Sequence, residues 1–271
     1  MNTPILSVEE LDDLLTEKPL ILDCRFDLFD TEKGHRQYLE GHIPGAFYLH
    51  LDLDLSSAKV DGKTGRHPLP LRETFARRMA DLGLTPHRPV VAYDDKGGGI
   101  AARAWWLLRY IGHERVSVLD GGYPEWLAAG LPTETGEAVT EPADAYPVVE
   151  SELMIHELPA IQKIREDERY RLIDSRTPER YRGESEPIDP IAGHIAGAIN
   201  LPWPDNLRQG KFKSREELRE RFAGLKKEPQ QNVFYCGSGV TACHNILAYN
   251  YAFGEFPALY PGSWSEYLLT E

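Results

Sequence analysis

One eight-residue stretch carries the residue types best suited to covalent chemistry: Cys236-Gly237-Ser238-Gly239-Val240-Thr241-Ala242-Cys243. It follows a short apolar run, residues 233–235, and it opens an apolar pattern typical of a helix at residues 240–253. A cysteine in this position lies among backbone N–H groups at the positive end of a helix dipole. Such a field stabilises a thiolate or a persulfide anion. The alternative interpretation is a buried cysteine that packs as a small hydrophobic residue beside a tight turn.

The small residues of this loop would let successive amides turn toward one centre. We therefore expect the sulfur to be bound by the backbone of four loop residues, namely Gly237, Gly239, Val240 and Thr241. Cys243 differs from Cys236, because its spacing from Val240 and Leu247 places it on the apolar face of the predicted helix. That position favours core packing over chemistry.

Short apolar runs alternate with helical patterns along the chain. The strand candidates are residues 90–93, 116–119 and 233–235, and the helix candidates, with apolar residues recurring at three and four, are 101–111, 215–225 and 240–253. This alternation predicts an α/β fold, with parallel sheets that carry helices on both faces. Ligands of such folds bind beyond the carboxyl ends of the strands, where the cysteine loop follows its strand.

The chain contains a long internal repeat. Gly41-His42-Ile43-Pro44-Gly45-Ala46 returns as Gly193-His194-Ile195-Ala196-Gly197-Ala198 at an offset of 152 residues. The apolar runs before these turns end in Asp23 and Asp174, and residues 121–126 match residues 262–267 at an offset of 141. Because these motifs occur in the same order in both halves of the chain, they predict a duplicated domain. We predict one domain at residues 1–135, a proline-containing linker at 136–149, and a second domain at 150–271.

Composition excludes several classes of protein. The 30 basic and 43 acidic residues give a net charge of −13, and 41% of residues are hydrophobic, which excludes disorder and disfavours nucleic-acid partners. No apolar stretch is long enough to span a membrane, and residues 1–10 lack a signal-peptide pattern, so we expect a soluble, cytoplasmic protein. Cys24, Cys236 and Cys243 fit neither a disulfide framework nor a zinc site, so we expect free thiols, no metal and no organic cofactor.

The duplicated Asp…Gly-His-Ile-x-Gly-Ala pattern, the Leu119-Asp120-Gly121-Gly122 signature and the cysteine loop together resemble the tandem-domain rhodanese family of sulfurtransferases. The loop is most similar to that of the 3-mercaptopyruvate sulfurtransferase type, since thiosulfate-type members usually carry basic residues where this chain has Gly237 and Ser238. The resemblance implies two tandem rhodanese-like α/β domains. Only the second would keep the catalytic cysteine, because the offset of 141 places Asp95 opposite Cys236.

The resemblance also implies a proton relay. In the mercaptopyruvate branch, a serine two residues after the cysteine acts with a histidine and an aspartate, which Ser238, His67 and Asp52 match by local pattern. The offset between matching residues of the two copies is 152 at the Gly-His turn and 141 after the strand end. The first copy is therefore 11 residues longer than the second between these two points. Asp52 and His67 lie in this extra length. Without the resemblance, His67 is as readily an ordinary loop histidine.

Arginines near residue 180 are candidates for binding an anionic donor, since the planar guanidinium donates two parallel hydrogen bonds to a carboxylate. By resemblance Arg180 is the donor-binding arginine, whereas Arg176 supports the fold. The family's second arginine is missing from the stretch 186–190, and Arg182 is a candidate to replace it. His42 and His194 recur in both copies, which favours a structural role in the turn, with Asp23 and Asp174 as candidate partners.

The leading functional hypothesis is a sulfurtransferase. The Cys236 thiolate would take sulfur from 3-mercaptopyruvate, become a persulfide and pass the sulfur to a thiol, to cyanide or to a protein acceptor such as thioredoxin, with ping-pong behaviour. A thiosulfate sulfurtransferase using the same persulfide is one alternative. A non-catalytic persulfide carrier or redox-sensing module is another. A cysteine phosphatase is disfavoured, because it needs an arginine at position 242, which is alanine.

Overall fold

The computed structural model of the chain describes residues 3–270, so residues 1, 2 and 271 at the ends of the predicted domains lie outside it. The chain forms two compact units. The first takes the chain up to Ser57 together with Pro70–Ser151, and the second takes Ala58–Leu69 together with the chain from Glu152 onward. The structure therefore places the segment Ala58–Leu69 with the second unit, although the sequence analysis assigned it to the first domain.

The predicted linker packs on the first unit. Within it, the backbone N–H of Ala143 donates to the Ala80 carbonyl at 2.9 Å, and the N–H of Val149 donates to the Ile111 carbonyl at 3.1 Å. The first unit accordingly extends to Ser151, beyond the predicted domain end at residue 135.

The first unit is built around a five-stranded parallel sheet of order β1-β5-β4-β2-β3. Its strands are β1 (Ile5–Leu6), β2 (Leu20–Asp23), β3 (Ala46–Tyr48), β4 (Val90–Tyr93) and β5 (Val116–Leu119). Its helices are α1 (Val8–Leu14), α2 (Lys33–Glu40), α3 (Arg72–Asp81), α4 (Ala101–Tyr110) and α5 (Gly122–Ala128). All four residues of β2, β4 and β5 are buried, which is typical of a parallel sheet covered on both faces.

The second unit repeats this arrangement in a four-stranded parallel sheet of order β11-β10-β6-β7. Its strands are β6 (Arg171–Asp174), β7 (Ile199–Asn200), β10 (Asn232–Tyr235) and β11 (Ala258–Leu259), with a separate antiparallel hairpin of β8 (Leu207–Arg208) and β9 (Lys211–Phe212). Its helices are α6 (Leu158–Ile164), α7 (Pro178–Tyr181), α8 (Arg215–Phe222), α9 (Ala242–Phe253) and α10 (Ser263–Tyr267). The shared strand order confirms the predicted duplication and the predicted α/β fold.

The repeated turns hold the same buried contacts in both units. Asp174 binds the guanidinium of Arg176 at 2.6 Å, and Arg176 also donates to the Gly193 carbonyl at 2.6 Å. His194 stacks on Tyr181 with ring centroids 3.9 Å apart. In the first unit Asp23 binds Arg25 at 2.6 Å in the same way, and His42 stacks on Tyr38. The histidines are thus structural, but the aspartates pair with arginines and not with the histidines.

The ends of all three predicted helices differ from the sequence pattern. Helix α4 stops at Tyr110 rather than residue 111, α8 stops at Phe222 rather than residue 225, and α9 begins at Ala242 rather than residue 240. At the start of α9, the N–H groups of Cys243 and His244 donate three residues back, to the carbonyls of Val240 and Thr241, so Val240 and Thr241 precede the regular helix. Among residues 3–270, no helix is long and apolar enough to cross a membrane.

Candidate active site

The cysteine loop is fastened to the start of α10 by backbone hydrogen bonds. Cys236 follows β10 directly and is 2% exposed. Its N–H donates to Ser263 Oγ at 3.1 Å, and its carbonyl accepts the N–H of Trp264 at 3.0 Å. The Gly237 carbonyl accepts the N–H of Ser265 at 2.9 Å. The backbone around the thiol is therefore held without any contribution from the sulfur.

Two residues of this connection adopt left-handed backbone conformations. Gly239 has a φ of 76°, and a β-carbon added to it would lie 2.3 Å from the Pro261 carbonyl oxygen, so no other residue fits without displacing the backbone. Ser263 has a φ of 55° although it is not glycine, a conformation that costs about 1–3 kcal/mol. Ser263 is fully buried and its Oγ links the Tyr260 carbonyl to the N–H of Cys236. Strain is thus stored directly against the cysteine loop.

His67 contacts the cysteine loop. Its Nδ1 lies 2.7 Å from Ser238 Oγ, and either atom can donate, depending on the imidazole tautomer. His67 is 3% exposed and Ser238 is 6% exposed. The segment that carries His67 is anchored by its own backbone, because the N–H of Arg66 donates to Ser265 Oγ at 3.0 Å. The extra segment of the first copy therefore places His67 in contact with Ser238, the second residue after Cys236.

Asp52, the third residue of the predicted relay, lies in the first unit. Its backbone N–H donates to His50 Nδ1 at 3.1 Å. The residue is half-buried. Its place in a relay with His67 and Ser238 stays a prediction.

Arg180 lies over the loop, bound by two carboxylates. A β-carbon on Gly237 would lie 3.4 Å from Arg180 Nη2. Arg180 donates to Glu186 at 2.6 and 3.1 Å and to Asp189 at 3.2 Å. Burial raises the pKa of Glu186, but hydrogen bonds from Arg180 and from two backbone N–H groups outweigh it, so that pKa is lowered below its ordinary value. Arg180 is thus held as a fixed cation beside Gly237.

Arg182, the predicted replacement for the missing arginine, does not lie beside Gly237, and a different arginine does. Arg182 is about half exposed and pairs at the surface with Glu184 at 2.7 Å. Arg66 lies beside Gly237 instead, with its Nη2 3.0 Å from a β-carbon added there, and it pairs with Asp189. Arg66 was not among the site residues predicted from the sequence. Its position next to His67, in the segment present in only one copy, is the signal that could have identified it.

The remaining predicted site residues lie on the loop itself. Gly237 and Gly239 flank Ser238, Val240 is buried, and Thr241 precedes α9. Cys243 is fully buried on α9 and its Sγ lies 3.3 Å from the Gly239 carbonyl, consistent with packing. All three cysteines are free thiols, as predicted. Burial and the neighbouring charges of Asp23, Asp94 and Asp54 raise the pKa of Cys24 well above its ordinary value, so Cys24 is kept protonated.

The first unit corrects the predicted counterpart of Cys236. Tyr93 and Tyr235 both end a central strand, and each hydroxyl accepts a backbone N–H from its repeated turn. The next residue is Asp94 in one unit and Cys236 in the other. The Asp94 carbonyl accepts the N–H of Tyr123 in α5, and the Cys236 carbonyl accepts the N–H of Trp264 in α10. Asp94, not Asp95, therefore occupies the position of the cysteine. The motif offset of 141 missed this by one residue.

Asp94 fills its own loop. Its Oδ1 accepts the N–H groups of Lys96 and Gly98 at 2.8 and 2.9 Å, and its Oδ2 accepts those of Ile100 and Ala101 at 2.8 and 2.9 Å. A loop of this length after a parallel strand can thus direct four amides at one anion. Within residues 3–270, no group of three histidine, cysteine or acidic side chains is placed to hold a metal ion.

The fold and the loop together define a class of protein, and comparison with known proteins agrees with it. The family model for the rhodanese-like domain matches residues 7–129 and again residues 158–270. The chain therefore belongs to the rhodanese family, in its tandem-domain form, and it is a sulfurtransferase.

Individual relatives lie on the 3-mercaptopyruvate and thiosulfate branches. A Pseudomonas aeruginosa protein named "Probable 3-mercaptopyruvate sulfurtransferase" is 44% identical over 98% of this chain and 95% of its own length. The thiosulfate sulfurtransferase of Bos taurus is 34% identical over 91% of this chain and 84% of its own length. The solved structure of 3-mercaptopyruvate sulfurtransferase from Leishmania major superposes with a TM-score of 0.85 at 32% identity, covering 98% of this chain and 74% of that one.

Proposed function

We propose that this sulfurtransferase uses 3-mercaptopyruvate as donor and carries the sulfur as a persulfide on Cys236. The Cys236 thiolate attacks the donor sulfur, so that an S–S bond forms and the bond between that sulfur and carbon 3 breaks. The electron pair stays on the carbon as the enolate of pyruvate. The proton lost from the donor thiol ends on carbon 3, which leaves pyruvate and the anionic persulfide. An acceptor thiolate, cyanide or the thiolate of a protein such as thioredoxin then removes the outer sulfur and restores the Cys236 thiolate.

The contact between His67 and Ser238 carries this proposal. This donor must lose a proton from sulfur and gain one on carbon, so the reaction needs a group that moves protons beside the cysteine. The 2.7 Å hydrogen bond between His67 Nδ1 and Ser238 Oγ places a titratable imidazole at the second residue after Cys236. Thiosulfate needs no such proton transfer, because its leaving group is already a stable anion. We assign Asp52 to the same relay.

The first unit supports the persulfide. There the corresponding loop already binds an anion, the Asp94 carboxylate, through the amides of Lys96, Gly98, Ile100 and Ala101. The corresponding residues after Cys236 are Ser238, Val240, Ala242 and Cys243. The Cys243 N–H already donates to the Val240 carbonyl at 3.1 Å, which leaves the N–H groups of Ser238, Val240 and Ala242 for the sulfur. Backbone donors aimed at one point stabilise a sulfur anion as they stabilise a carboxylate. The first unit, with carboxylate oxygens in place of sulfur, is silent in this chemistry.

A cysteine variant tests the proposal directly. The protein is treated with 3-mercaptopyruvate and no acceptor, and digests are examined by mass spectrometry for one added sulfur atom. We expect the label on Cys236 in the wild type and no turnover in Cys236→Ser, with wild-type thermal unfolding because the loop is held by its backbone. Cys243→Ser is the control, since its sulfur packs in the core.

Three results would contradict the proposal in different ways. A label on Cys243 or Cys24 would show that the wrong thiol was assigned. Higher kcat/KM with thiosulfate than with 3-mercaptopyruvate would favour the thiosulfate activity of the bovine relative. A Cys236 persulfide that forms but turns over no faster than free thiols react would indicate a sulfur carrier and not an enzyme.

A further inference from the structure

Arg66 is a cation that the family pattern does not account for. It immediately precedes His67, and its guanidinium lies beside Gly237, one residue after Cys236. The Nη1 atom of Arg66 donates to Asp189. Its Nε is buried and has no acceptor among the residues that the structure describes. A buried N–H without an acceptor is unfavourable, and such an arrangement is typical of a residue whose position serves a site.

One carboxylate joins Arg66 to Arg180. Asp189 accepts from Arg66 through Oδ1 and from Arg180 through Oδ2, and the Asp189 side chain is 3% exposed. Glu186, equally buried, binds the Nε and Nη2 atoms of Arg180. These bonds leave Nη2 of Arg66 and Nη1 of Arg180 as donors near Gly237. The two guanidinium groups are therefore fixed relative to one another and to the loop.

We propose that Arg66 is the second donor-binding arginine, and that Arg66 and Arg180 together grip the carboxylate and keto oxygens of the donor. This assignment rests on the proposed function. In this assignment Arg66 replaces the family arginine that is missing from residues 186–190. The same stretch contains Asp189, whose carboxylate positions Arg66. Arg182, bound to Glu184 at the surface, is not needed for this task.

The same segment would then perform two tasks at one loop. Arg66 binds the anionic end of the donor, while the next residue, His67, contacts Ser238 at 2.7 Å. Since both side chains come from Ala58–Leu69, donor binding and proton transfer depend on one insertion into the first copy of the repeat.

Steady-state kinetics of Arg66→Ala test the assignment. Charge-assisted hydrogen bonds of this kind predict a fall in kcat/KM for 3-mercaptopyruvate of about 10- to 100-fold, mainly through KM. Inhibition by pyruvate, which has the same carboxylate and keto groups but no sulfur, should weaken by a similar factor. Arg66→Lys should recover part of both effects, because an ammonium keeps the charge but lacks the planar fork. Arg169→Ala is the matched control, since Arg169 is exposed and pairs only with Asp167 among the described residues.

The alternative is that Arg66 only ties its segment to the rest of the second unit. Loss of a tether would displace His67, lowering kcat while leaving KM and pyruvate inhibition unchanged, and that result would overturn the assignment. Unchanged kinetics in Arg66→Ala would do the same. If Arg66→Ala does not fold, Arg66→Gln, which keeps most of the side chain without the charge, is judged by the same criteria. Failure of the proposed function is seen separately, as wild-type protein that forms no Cys236 persulfide from 3-mercaptopyruvate.

Discussion

Replacing Asp94 by asparagine tests whether the loop after a central strand is an anion-binding device in this fold. Asp94 is 1% exposed, and its two carboxylate oxygens accept four backbone N–H groups at 2.8–2.9 Å. Asparagine has nearly the same shape, so the substitution changes hydrogen-bonding capacity and charge without changing volume.

The expected cost follows from counting acceptors. Asparagine keeps one carbonyl oxygen, which can still accept two N–H groups, but its amide nitrogen is a donor and cannot accept the other two. Each buried N–H that loses its acceptor costs about 1–3 kcal/mol, so Asp94→Asn should destabilise the first unit by roughly 2–6 kcal/mol. Loss of the negative charge among four N–H dipoles acts in the same direction.

The neighbouring residue provides a matched control. Asp95 is half-buried, one of its oxygens has no hydrogen-bond partner among the described residues, and burial together with the charge of Asp94 raises its pKa. Asp95→Asn removes an unfavourable charge and should be neutral or slightly stabilising. Both variants are compared by urea unfolding of the full chain and by hydrogen exchange of the Gly98, Ile100 and Ala101 amides. Exchange reports the loop locally, so it does not require the two units to unfold together.

The opposite pattern would refute the reasoning. If Asp94→Asn kept wild-type stability and amide protection while Asp95→Asn lost both, Asp95 would be the counterpart of Cys236 after all. The support that the first unit lends to a bound persulfide would then be lost.

Three further predictions concern other parts of the molecule. His67→Ala should slow persulfide formation from 3-mercaptopyruvate by roughly 10²–10⁴-fold, as is typical for lost acid–base catalysis, and should affect thiosulfate less; equal losses in stopped-flow assays with both donors would indicate a structural role. Gly239→Ala should destabilise the second unit by more than about 2 kcal/mol and abolish turnover, because the new β-carbon meets the Pro261 carbonyl. Gly254 is the control, since it has a similar φ of 78° but its β-carbon would lie in open space, so Gly254→Ala should cost only the backbone strain, about 1–2 kcal/mol. Burial lowers the pKa of His113 to about 4 from an ordinary 6.5, so the unfolded chain binds more protons between these values and stability should fall by about 3 kcal/mol as the pH drops through that window. His113→Gln should flatten this dependence in pH-titrated urea unfolding, and an unchanged slope would contradict the assignment.

Much of the fold and part of the site could be predicted from the sequence, because those features are local. Apolar periodicity predicted the strands β4, β5 and β10 and the helices α4, α8 and α9, and the duplicated turn motif predicted the repeat. The cysteine loop was recognisable from Cys236 and its glycines, since a strand end, small residues and a helix start are contiguous in the chain. Helix ends were less accurate, because apolar spacing does not show that Val240 and Thr241 precede the regular helix α9.

Other features of the site depend on contacts between residues distant in the chain. The counterpart of Cys236 is Asp94 and not Asp95. This is evident only from the matching contacts of Tyr93 and Tyr235 at the two strand ends. The offset of 141 was measured between residues 121–126 and 262–267. It does not reveal a one-residue difference in length between the strand end and these residues, so the counterpart predicted from it was wrong by one position.

The second arginine shows the same limit most clearly. Arg66 and Asp189 are separated by 123 residues, and nothing local in either sequence indicates that they pair. The repeat, the α/β architecture and the candidate cysteine could be predicted from the sequence alone, because neighbouring residues encode each of them. The position of Ala58–Leu69 in the second unit, with Arg66 and His67 beside the cysteine loop, is set by tertiary contacts. Long-range charge pairing and burial select those partners, and proximity in the chain does not.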